Sequence, residues 1–195
     1  GPYPYKNDDV RLINNIGAKF IGRAIYRWGK EASLGNPEFL RQAKILINEV
    51  HKNDPEVIFQ AAVFEAVTGE VDQLAVPAWA FTALGIPVEM RNFRYGDMLN
   101  VGGKFVDHWG KGSSVPDISR PEAQLWLMYL CGLYMDLGCE ALHLGQVSLM
   151  GMEDPGLLIW NSFIQKVRKH ARKHTQRGWV LLDARHMMTR FDAEG

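Results

Sequence analysis

VIFQAAVF, residues 57–64, is a short, almost wholly apolar run that stops against Glu65. Bounded upstream by Asp54-Pro55 and downstream by an acid, it is too short for a surface helix. It fits a strand buried on both faces, as parallel sheets require. On its N-terminal side, Asn36-Pro37-Glu38 supplies a capping residue, a proline for the first helical position and a first-turn acid. Phe39, Ala43, Leu46, Ile47 and Val50 then recur at helical spacing. Earlier still, AKFIGRAIYRWG (18–29) reads as a strand leading into a glycine-bearing loop.

The same alternation continues downstream. Thr68 to Leu84 predicts two short helical pieces, the second opened by Pro77 and closed by Gly85. PVEMRNF (87–93) predicts a further strand. Arg94 to Asp117 is glycine-rich and irregular, a length that in compact domains usually marks a functional or disordered loop. Ser119 and Glu122 have capping-box spacing before a long apolar helix that Gly138 should end. EALHLGQV (140–147) predicts another strand, and Asp154-Pro155 caps a helix with the stripe Trp160, Phe163, Ile164, Val167 and Ala171. WVLLDA (179–184) is the last strand. About five βα units in order predict an α/β fold with a parallel sheet of (β/α) barrel type. A closed barrel normally takes ~250 residues, so the chain reads as a partial barrel, cut short at its C-terminus, or as an open doubly wound sheet. No GxGxxG or P-loop follows a strand.

With 195 residues, 47% hydrophobic and 23% charged, the chain has material for one core and reads as a single domain over 1–195. Basic and acidic residues number 22 each and the pI is ≈ 7.2, so no overall field draws nucleic acid or an anionic membrane. Neither is expected as a partner, and the oligomeric state stays open. Lys166, Arg168, Lys169, Arg172, Lys173 and Arg177 read as the solvated face of an outer helix. Cys131 and Cys139 lie among apolar neighbours without metal-knuckle spacing and read as buried free thiols. No apolar run reaches the ~20 residues that span a bilayer. The chain opens Gly1-Pro2 without an initiator Met, which fits a protease scar, a removed leader or a truncated reading frame. A soluble protein, cytoplasmic or exported, is the expectation.

Polar groups stand where the apolar runs stop, which in parallel α/β folds is where sites form. Strand parity turns His143 inward, with Gln146 at the mouth, and puts Glu89 and Arg91 on one face. Gln60 and Glu65 have opposite parity; Glu65, at the exit, is the favoured candidate. Glycoside cleavage needs two carboxyl groups and apolar surface for sugar rings. Glu65, Glu89 and Asp183 are the candidate catalytic acids, Glu65 as proton donor. Trp28, Arg91, Asn92, Trp109, His143, Gln146 and His186 are candidate substrate contacts.

The segments DPEVIFQAAVFEAVT, PVEMRNFRYGDML, DHWGKGSSVPDIS, EALHLGQVSLM and RGWVLLDARH resemble large uncharacterised (β/α) barrel proteins of carbohydrate-degrading bacteria, similar in style to glycoside hydrolases. The resemblance spans most of residues 18 to 186 and implies a barrel and a saccharide ligand. It assigns no acid or nucleophile, and the short chain departs from it, since strands six to eight of such a barrel would normally supply part of the site. The expectation is therefore a carbohydrate-active protein, a glycoside hydrolase using carboxylate acid/base catalysis without a cofactor or metal. Two alternatives stand beside it. One is a metal-dependent hydrolase or isomerase using Glu65, His143, Asp183 and His186, although no HxH or HExxH spacing supports it. The other is a saccharide-binding barrel without turnover.

Overall fold

The computed structural model describes residues 6–185. In chain order the elements are α1 (Lys6–Ile16), β1 (Phe20–Ile25), α2 (Pro37–Asn53), β2 (Ile58–Ala62), β3 (Val67–Thr68), α3 (Ala78–Leu84), β4 (Ser113–Ser114), α4 (Pro121–Leu137), β5 (Ala141–Gln146), α5 (Val147–Met150), α6 (Leu158–His174) and β6 (Leu181–Arg185). The fold is α/β. β1, β2, β5 and β6 form one parallel sheet in that order, and β3 pairs with β4 antiparallel outside it.

Local chemistry sets most boundaries. The Asn36 side chain accepts from Glu38 N at 2.9 Å, and Pro37 stands at the first position of α2. α3 follows Pro77 and ends on left-handed Gly85, and α4 ends on left-handed Gly138. Asp154 reaches α6 from outside it, its two oxygens accepting Ile159 N and Trp160 N.

Alternation along the strands divides the sheet into two environments. Phe59 and Ala61 of β2, with Leu142 and Leu144 of β5, join Ile47 and Val50 of α2, Leu127 of α4 and Phe163 and Val167 of α6 in one core. Cys131 and Cys139 lie in it as free thiols, and burial pushes both up to about 12. The intervening residues Gly22, Gln60, His143 and Asp183 line a recess on the other face.

Three expectations are corrected. Residues 87–93 form no strand of the sheet; only Asn92 makes an isolated bridge, to Ala75. Val88 and Met90 are exposed, so no sheet neighbour covers that parity, while Arg91 and Asn92 are satisfied elsewhere. The parallel strands therefore number four among the described residues, not five. Ser119 does not cap α4, because Arg120 takes the cap position before Pro121 and Glu122 turns to Arg91 and to Arg94 N.

Candidate functional site

The site begins with a break in β1. Phe20 and Ile21 pair with Ile58 and Phe59, but the next partnered residue, Ile25, pairs with Ala61, so β1 bulges between. Arg23 sits in the bulge in the left-handed region, at φ 48. Its backbone N–H donates to Gln60 Oε1 at 3.1 Å, and Gln60 Nε2 donates to Asp183 Oδ1 at 2.6 Å. The other oxygen, Asp183 Oδ2, lies 3.0 Å from His143 Nδ1. An ionised carboxylate only accepts, so Nδ1 carries the hydrogen and the lone pair of neutral His143 is on Nε2. The His143 side chain is 15% exposed and that of Asp183 59%. These residues, with Gly22, Arg23, Ala184 and Arg185, line a recess of about 530 Å³.

A row of rings adjoins the recess. Phe64 packs 6.4 Å from His143 and 5.3 Å from Tyr26, Trp28 lies 5.1 Å from Phe64, and Trp109 lies 5.3 Å from Trp28. Tyr26 and Trp28 remain substantially exposed. Trp109 is carried in by the irregular 94–117 loop, and its indole N–H donates to the Glu65 carbonyl at 3.0 Å.

Glu65 itself is 4% exposed. Both carboxylate oxygens are engaged by Gln146, one by its backbone N–H at 3.0 Å and one by its side-chain amide at 2.6 Å. Gly145 makes this approach feasible: its φ is +54, and a Cβ there would collide with Glu65 Oε2. The strand ends at Ala62, so parity does not govern Glu65, and Gln60 and Glu65 are both in use.

The structure thus brings together Asp183, His143, Trp28 and Trp109, with Glu65 and Gln146 as a brace between the exits of β2 and β5. Glu89, Arg91 and Asn92 belong elsewhere. Arg91 makes paired hydrogen bonds to Glu122 at 2.8 and 2.7 Å, contacts Glu89 at 2.5 Å, and is held more firmly protonated by Glu122 first and by Glu89 as well. Asn92 donates to the Asp72 carbonyl. His186 lies outside the described residues. Sequence reasoning passed over Arg23, Arg185, Tyr26 and Phe64. Arg185 shares parity with Asp183 and was findable, whereas nothing in the sequence announces the bulge that places Arg23. It also missed Glu31, a 2% exposed carboxylate after β1 that accepts from Thr68 Oγ1, its Oε1 having no partner among the described residues.

No group of three or more His, Cys, Asp or Glu suited to a metal ion occurs among the described residues. None of their helices is long and apolar enough to cross a membrane. Comparison with protein-family models, with curated proteins and with solved structures finds no match.

Proposed function

We propose that the chain binds a saccharide over the recess and aromatic row and acts on it by acid/base chemistry of the glycoside-hydrolase kind, on a fold of (β/α) barrel type. The observation that carries this reading is the junction of Phe64 and His143, where exposed ring faces run into a carboxylate-oriented imidazole. Apolar ring faces suit the C–H faces of a sugar, and fixed polar groups suit its hydroxyls.

In this reading His143 moves the proton. As imidazolium it donates from Nε2 to the glycosidic oxygen as the bond to the anomeric carbon breaks, leaving that carbon cationic; water then adds to the carbon and gives its proton to the neutral imidazole, so that one histidine takes both roles of the usual carboxyl pair. Asp183 fixes the tautomer and stabilises the charged ring, and Gln60 holds Asp183 in place. Glu65, closed off by Gln146, serves as the brace rather than as the proton donor expected from its position.

The test is a panel of glycosides and a glycan array with the protein, His143→Gln and Trp28→Ala. Turnover should fall about 10²-fold or more in His143→Gln, in line with the loss of general acid/base catalysis, while glycan binding persists. Trp28→Ala should weaken binding. Unchanged turnover in His143→Gln overturns the mechanism, and binding without turnover of any glycoside favours the non-catalytic alternative.

A further inference from the structure

Two arginines in the recess have no task in the proton relay. Plain alternation would put Arg23 on the parity of Ile21 and Ile25, of which Ile25 is buried. The bulge and its left-handed backbone bring Arg23 instead to the recess, beside Gly22. Bulges are a recurrent device for re-aiming one side chain near a site, and a strained non-glycine residue persists when its surroundings over-determine it. Here the Gln60 hydrogen bond to Arg23 N supplies that determination, through the same amide that holds Asp183. Arg185 reaches the recess by ordinary alternation from Asp183.

Neither guanidinium forms an ion pair or a side-chain hydrogen bond among the described residues, and Asp183 spends its oxygens on Gln60 and His143. Two cations therefore face one carboxylate, leaving a positive balance.

We propose that the recess is a subsite for an oxyanion of the ligand, a carboxylate, phosphate or sulfate group held between Arg23 and Arg185. The guanidinium fork matches such groups with paired hydrogen bonds, and both arginines are solvent-exposed, so a ligand can reach them from outside. On the saccharide reading, on which this inference rests, the ligand is an acidic saccharide, and the anionic group anchors the ring beside His143.

The experiment is calorimetric titration with glucuronic acid, glucose, glucose 6-phosphate and inorganic phosphate, at low and high ionic strength. At least one acidic sugar should bind about tenfold or more tighter than glucose at low salt, a factor of the size expected of charge-assisted pairing. Which acid wins separates a carboxylate from a phosphate subsite. Added salt should erode the preference. Arg185→Gln and Arg23→Gly should each reduce the ratio, and the double variant should bring it near one; glycine suits the left-handed backbone, so the fold is kept. Equal affinity for acidic and neutral sugars, or a preference intact in the double variant, overturns the subsite. Arginine-dependent binding of inorganic phosphate without binding of any sugar would instead sink the saccharide reading and leave the anion site standing. Binding of none of the four ligands overturns both.

Discussion

Gly145 is the position where a single atom decides the geometry of the site. A methyl group there would strike the Glu65 carboxylate and adopt an unfavourable backbone at φ +54. Gly145→Ala should therefore cost about 2 kcal/mol or more, summing strain and displacement. Chemical denaturation will measure it. Because the collision is with one side chain, Glu65→Ala should absorb part of that cost, and the two changes in a double-mutant cycle should be clearly non-additive. Strict additivity would show that Glu65 and Gly145 do not meet. At this scale the sequence was readable where alternation holds: His143 and Asp183 lie opposite one another on neighbouring strands, as parity requires. It was unreadable where alternation breaks, at Arg23 within the bulge and at Glu65 beyond the end of β2. Glu89 and Arg91 were misplaced because a carboxylate and a guanidinium two residues apart look the same on a strand as in a loop.

Helix α6 carries an element-level response to acid. His170 stacks on His174 at 3.8 Å and on Trp79 of α3 at 5.2 Å, and His174 faces Asp136 of α4 at 3.0 Å. Burial first, and then the neighbouring His174, lowers His170 from its usual 6.5 to about 4, against a small opposing pull from Asp136. Above pH 6.5 the ring is neutral in the folded and unfolded chains alike. Between 6.5 and about 4 the unfolded chain takes up a proton that the folded chain refuses, so stability falls as the pH drops; below about 4 both carry it. His170→Phe should flatten the decline of the unfolding midpoint across that window, and an unchanged slope would contradict it. The ends of α2, α3 and α4 were legible in part, since Asn36, Pro77, Gly85 and Gly138 mark them by local backbone chemistry, whereas no such signal announced α1. The start of α4 was not legible, because Glu122 is claimed by Arg91, a partner distant in sequence.

For the molecule as a whole, the alternation of strand and helix correctly gave an α/β fold and a parallel sheet, since buried strands and capped helices are both written locally. The number of strands was not written locally. PVEMRNF has a strand's length and composition, and its lack of sheet pairing, with Val88 and Met90 left uncovered, is what places it off the sheet. The aromatic row was legible in part, Trp28 and Trp109 by their loop positions, whereas Phe64 and Tyr26 joined it through contacts that no spacing encodes. The sheet order leaves β1 and β6 each bonded on one side alone among the described residues. Such margins, with Phe20 and Leu181 about half exposed along them, are templates for unintended self-association. Refolding yield should accordingly fall as protein concentration rises, with light scattering growing in step. Leu181→Lys should delay that onset, because a charge on the margin repels a second chain before its backbone can pair.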